Sequence, residues 1–210
     1  DFYPNSFKKI IIDNLYKEKP INLILSNTVN TQIKKVIIEV SLSRDDAIKL
    51  LANDNVPKSL KEHIIDKRIK TEYEISSCIE EKNIPEEYRK EIVITKVNKS
   101  NIFKVLRWTY GDRKEFLIEL KTKELEEIIE EQTSATILDL ISDYDTPDFL
   151  IEELYNRKLD IITEAIKTSS KDKIKDAIRR ETTPKTLELI IKYRSKTLLE
   201  ILKVLDEYEV

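Results

Sequence analysis

The sequence predicts an all-α protein, an α-solenoid of about six to seven stacked helical hairpins. Three observations carry that expectation. One apolar pattern recurs along the chain at near-regular spacing. Within each copy the apolar residues stand three, four or seven apart, which puts them on one face of a helix. Glycine appears once in 210 residues, at Gly111; interior glycine weakens a helix by about 1 kcal/mol relative to alanine.

The pattern is clearest in LLANDNVPKSLKEHIIDKR, Leu50 to Arg68. Leu50 and Leu51 precede a turn, Pro57 follows it, and Leu60, Ile64 and Ile69 come after. Pro85 has Cys78 and Ile79 before it and Tyr88, Ile92 and Val97 behind. Pro147 has Leu140 and Ile141, then Leu150, Leu154 and Leu159. Pro184 has Ala177 and Ile178, then Leu187 and Ile191, with Lys196 breaking the last column. Two copies lack the proline. Asn30 follows Leu23 and Ile24 and leads Ile33, Ile37 and Leu42. Arg113 follows Leu106 and leads Phe116, Leu120 and Leu125, with Arg107 in an apolar column. These anchors recur after 27, 28, 28, 34 and 37 residues. Such a period marks stacked repeats, and the two longer final units have the weaker register.

Each proline is expected in the first turn of the second helix of a hairpin, where its fixed φ suits the helix and its missing N–H has no partner to lose. Thr146 and Thr183 place a capping hydroxyl before Pro147 and Pro184. A lone hairpin cannot bury its apolar face, whereas neighbours bury it together. At LANDNVPKSLKEHIIDKR the chain resembles the units of HEAT-like and variant leucine-rich-repeat α-solenoids: an apolar helix end, an Asn/Asp/Pro turn, then a helix of xLxxxII form. The resemblance covers most of residues 20 to 205. It implies a right-handed solenoid and leaves function open, because these folds host many roles.

Taken in order, residues 1–20 read as an N-terminal cap or an arm, with Ser6 capping a short helix. Residues 21–195 carry the repeats. IKKVIIEVSL, around Gln32 to Leu42, has a β-branched run, but the register predicts helix. Ser43 caps the next helix, with Asp45 and Asp46 in its first turn. Residues 99–123 depart from the pattern through RWTYGDRKEF. Residues 124–143 hold an extra, compressed hairpin, with Ser134 capping its second helix. Residues 196–210 form a C-terminal capping helix. No linker rich in Pro, Gly or Ser interrupts residues 1–210, so one continuous domain is expected.

Composition excludes several functions. With one glycine, no phosphate-binding loop or dinucleotide fingerprint can form. One cysteine forms no internal disulfide and no cysteine cluster. One histidine, His63, leaves no two-histidine metal site and few triads. A net charge of −3 argues against a dominant basic field for nucleic acid. No apolar run is long enough to span a membrane, and no secretion signal opens the chain. A cytoplasmic protein without cofactor or metal is expected. The chain opens at Asp1 and has no methionine, as a processed product or a fragment would.

Four sequence features merit a functional reading. Arg107, Trp108, Tyr110 and Arg113 gather residue types enriched in binding hot spots; the competing and preferred reading is a bulky plug between unlike repeats. A basic column follows the second helices: Lys67, Arg68, Lys96, Lys123, Arg157, Lys158 and Arg194. It tracks a phosphate backbone or, preferably, complements helix C-termini, worth about 0.3–1 kcal/mol each. Cys78 falls in a core column, as a small hydrophobe. The glutamate-rich stretches read as solvated faces. A non-enzymatic adaptor or structural protein follows, binding a protein partner or a copy of itself. Nucleic acid is the alternative.

Overall fold

The computed structural model describes residues 19–143, 145–179 and 184–206. Ser6 and the arm or cap expected from residues 1–18 lie outside them, as do the Thr183 cap and residues 207–210. The described residues form helices and no strand. Gln32 to Ser41, the β-branched run, is helical.

The chain divides into two compact units, Asp1–Lys121 and Thr122–Val210. The first holds α1 (Pro20–Leu25), α2 (Thr31–Ser41), α3 (Arg44–Leu51), α4 (Lys58–Arg68), α5 (Glu72–Glu80), α6 (Glu86–Lys96), α7 (Ile102–Arg107) and α8 (Gly111–Leu120). Helices pair in chain order: α1 packs on α2, α3 on α4 and α5 on α6. They also pack on the equivalent helix of a neighbouring pair: α2 on α4, α5 on α7 and α6 on α8. The second unit holds α9 (Thr122–Glu130), α10 (Ile137–Ile141), α11 (Asp148–Thr168), α12 (Lys171–Arg179) and α13 (Pro184–Asp206). Here α10 packs on α11 and α12 on α13, while α10 meets α12, α11 meets α13, and α9 lies on α11. Packed helix pairs of this kind are compatible with a helical repeat.

The core follows the predicted columns where the register is regular. Leu50, Leu51, Leu60, Ile64 and Ile69 are buried, as are Cys78, Ile79, Tyr88, Ile92 and Val97. So are Leu150 and Leu154 in the second unit. Each such aliphatic side chain contributes about 1.5–3 kcal/mol by leaving water. Long-range hydrogen bonds run between hairpins. The buried Ser76 hydroxyl donates to the Val105 carbonyl, 29 residues on, and Lys96 Nζ reaches the Asp66 carbonyl, 30 residues back. The Tyr155 and Thr186 hydroxyls meet across 31 residues.

The helix starts differ from expectation by one residue. Pro57, Pro85 and Pro147 are N-caps, with ψ of 142°, 143° and 144°, and the helix proper begins at the next residue. The extended ψ turns the proline carbonyl onto the first turn, where Pro57 accepts from the Leu60 and Lys61 amides. Thr146 therefore does not cap: its hydroxyl donates to the Leu140 carbonyl. The turn before each cap has its own device. Four residues before the cap, the side chain of Ser26, Asn53, Glu81 or Asp143 accepts from the amide two residues on. Such local bonds stabilise the turn. Asn30 and Ser43 do cap, accepting from the Gln32 and Asp46 amides.

The irregular fourth hairpin is shifted. Tyr110, not Arg113, caps α8. Gly111 takes φ +49°, a left-handed conformation that favours glycine, and it shortens the turn between α7 and α8. Leu117 is consequently buried, while Phe116 and Leu120 are half-buried. Ser134 does not cap α10, whose N-cap is Thr136.

In the second unit, α11 and α13 are each two helical segments joined across a kink. A single non-helical residue breaks each, Lys158 (φ −129°, ψ 26°) and Arg194 (φ −135°, ψ 34°). The break at Lys158 leaves Leu159 exposed rather than in the core. The Pro184 register is off by one: Thr186 and Ile190 are buried, Leu187 is half-buried and Ile191 exposed. Beyond the kink at Arg194, residues 196–206 are helical, where the C-terminal capping helix is expected.

Candidate functional site

Stacking of hairpins builds an exposed aromatic face on the first unit. Arg44 opens α3, Tyr73 is the second residue of α5, and Trp108 is the C-cap of α7. Three successive hairpins thus supply one residue each. The Tyr73 and Trp108 rings meet edge to face at 6.2 Å. The Arg44 guanidinium lies 4.8 Å from the Tyr73 centroid, and the Arg107 guanidinium 5.5 Å from that of Trp108. Yet Tyr73 is 51% exposed, Trp108 43% and Tyr110 64%.

The array is held from below. Arg44 is fixed by Asp45 at 2.9 Å. The Tyr110 amide donates to Glu80 at 2.7 Å, which ties the N-cap of α8 to the end of α5. Thr109, beneath, is buried and donates to the Val105 carbonyl. Of the residues singled out in the sequence, Arg107, Trp108 and Tyr110 lie at this end of α7 and α8. Arg113 does not join the ring array; it stands on α8, in the field of Arg89 and Glu86 on α6.

Sequence reasoning missed Arg44 and Tyr73, which carry no motif and are brought to the array only by stacking. It also missed a basic column four residues after the caps of α2, α4, α6 and α8: Lys34, Lys61, Arg89 and Lys114. Its first three members were visible in the register; Lys114 enters only once Tyr110 replaces Arg113 as the anchor. Lys61 and Arg89 are both buried.

The predicted basic column is largely engaged within the protein. Lys67 pairs with Asp66 at 2.9 Å, and Lys96 joins the same carboxylate at 3.9 Å. Lys67 holds the Asp66 carboxyl below the usual carboxylate range. Arg68 is half-buried beside Glu74. In the second unit, Arg157 and Lys158 both bind Glu130. The Arg194 Nη1 donates to the carbonyls of Ile166, Lys167 and Ser169. Lys123, 86% exposed along its side chain, has an (i, i+4) pair with Glu127 at 3.9 Å.

Burial pushes the Cys78 thiol up to about 12, helped by Glu74 and Glu81. A thiolate nucleophile is disfavoured there. His63 is half-buried with Glu39 at 3.2 Å. Among the described residues no group of three His, Cys, Asp or Glu could hold a metal ion. No helix among them is long and apolar enough to cross a membrane. Comparison of the chain with protein-family models, curated proteins and solved structures finds no match.

Proposed function

We propose that the chain is a non-enzymatic adaptor or structural protein: a HEAT-like α-solenoid that binds a protein partner, a second copy of itself included, through the face of Arg44, Tyr73, Arg107, Trp108 and Tyr110. The exposed rings of Tyr73 and Trp108, flanked by two guanidinium groups, carry this reading. Trp, Tyr and Arg dominate binding hot spots because they bury much surface and keep a polar handle. Helix pairing in chain order, with hydrogen bonds spanning 29 to 31 residues, supports the solenoid part. The buried Cys78 thiol suits a cytoplasmic setting.

Duplex nucleic acid is the weaker partner class. Its binding draws on cations free to neutralise phosphates, and Lys96, Arg157, Lys158 and Arg194 are spent on carboxylates and helix-end carbonyls.

The test compares the wild type with the Y73A/W108A double variant in sedimentation and in affinity capture. Self-association or a specific partner present for the wild type and lost in the double variant, with helix content kept, is the expected result. A partner that the double variant retains removes this face from the reading. Tight, steeply salt-dependent binding of duplex DNA at low salt would move the function to nucleic acid.

A further inference from the structure

Arg89 and Arg113 carry an inference that does not depend on the aromatic face. They stand on α6 and α8, the packed second helices of adjacent hairpins. One hairpin earlier, the equivalent positions hold Lys61 on α4 and Tyr88 on α6. Lys61 and Arg89 each follow their cap by four residues; Tyr88 and Arg113 follow theirs by three.

The earlier rung is satisfied. Lys61 is 3% exposed, and its Nζ lies 4.7 Å from the centroid of the Tyr88 ring. The negative face of the ring answers the buried ammonium. In the next rung Arg89 is 6% exposed, but the register position of the ring is held by Arg113 on the packed helix α8. Arg89 Nη1 donates to the Glu81 carbonyl at 3.4 Å, and its buried Nε has no hydrogen-bond partner among the described residues. Burial and the charge of Arg113 both pull the Arg89 pKa down. Glu86 feels Lys90, Arg89 and Arg113 together, and its carboxylate is engaged by Lys90 at 2.7 Å. A buried cation without a full complement of acceptors is costly.

We propose that Arg89 and Arg113 together bind a tetrahedral oxyanion of the phosphate class, as inorganic phosphate or as the phosphoryl group of a phosphorylated side chain. Guanidinium groups present planar forks of N–H donors that match such oxygens. The oxyanion accepts from both arginines and does for this rung what the Tyr88 ring does for the one before it. Half-buried Arg113 gives access from solvent.

The test is titration of the full chain with inorganic phosphate at fixed ionic strength, followed by arginine Nε–H resonances in NMR and by Tm. The expected result is a saturable shift at Arg89 Nε–H with a rise in Tm, and at least tenfold weaker apparent affinity in R113Q. R113Y rebuilds the cation-on-ring rung, so it should lose the phosphate response while remaining folded. Phosphoserine titrated in parallel separates the sources. Tighter binding than inorganic phosphate assigns a phosphorylated side chain; equal or weaker binding assigns the free ion. A phosphate response no larger than that of chloride at equal ionic strength overturns the proposal. So does a wild-type response retained in both R113Q and R113Y.

Discussion

The Tyr73 and Trp108 rings meet edge to face at 6.2 Å while each keeps more than two fifths of its surface in water. A plug between unlike repeats and a docking face predict different energetics for such a pair. Exposed aromatic pairs contribute about 0.5–1.5 kcal/mol through their mutual geometry. A double-mutant cycle of Y73A and W108A, followed by urea unfolding, should return a coupling in that range. Core aromatics instead lose about 3–5 kcal/mol on truncation to alanine. A W108A loss of that size would make Trp108 a plug and withdraw it from the binding face.

Glu74 closes a capping box at the start of α5. Its Oε2 accepts from the Lys70 and Thr71 amides at 2.9 Å each, and its own amide donates to Thr71 Oγ1 at 3.2 Å. Burial, the largest single influence, pushes its carboxyl up, but the two backbone donors, the Thr71 side chain and the charge of Arg68 together outweigh it, and the net pKa lies below the usual carboxylate value. A depressed folded-state pKa means stability that is full above the unfolded value and lost as pH falls through the folded one. E74A should therefore destabilise by about 1 kcal/mol at neutral pH. The gap to the wild type should narrow on acidification, as unfolding at a series of pH values would reveal. A gap that stays constant into acid would show that the carboxylate form is not what the cap uses.

Arg194 and Lys123 belong to one column in the sequence, yet the structure uses them differently. Arg194 donates to three carbonyls at the C-terminal end of α11, those of Ile166, Lys167 and the C-cap Ser169. R194Q leaves those acceptors short of a charged donor and should destabilise the second unit by about 1–3 kcal/mol. K123Q removes an exposed (i, i+4) pair, worth about 0.5 kcal/mol or less. Hydrogen exchange separates the two: amides of α11 and α13 lose protection in R194Q and keep it in K123Q. Equal effects from both substitutions would mean that the column is merely surface charge.

The second helices were legible because two signals coincide there. Pro57, Pro85 and Pro147 mark the start, and side chains three and seven residues later mark the buried face. The breaks at Lys158 and Arg194 were not legible. One residue in a non-helical conformation needs neither glycine nor proline, so it leaves no trace in composition. Arg44 and Tyr73 were hidden for another reason. Each looks like an ordinary residue in a first helical turn, and only the stacking of three hairpins puts them beside Trp108. Arg113 shows the reverse case: near Trp108 in sequence, it makes its charge felt at Arg89 on the packed helix α6.

The shifted register of α8 makes the final prediction. With Tyr110 as cap, Leu117 stands seven residues on, in the column of Ile37, Ile64, Ile92 and Leu154, and all five are buried. Had Arg113 been the cap, Phe116 and Leu120 would fill the core instead. L117A should then cost about 2–5 kcal/mol, the range for a leucine cut from a packed interior. F116A and L120A remove half-buried side chains and should cost markedly less, despite the greater bulk of phenylalanine. G111A probes the same shift from the backbone. No atom lies within 4 Å of an added Cβ, so any loss reports only the left-handed φ, about 1–2 kcal/mol. Urea unfolding of the four variants ranks them, and F116A ranking above L117A would restore the register anchored at Arg113.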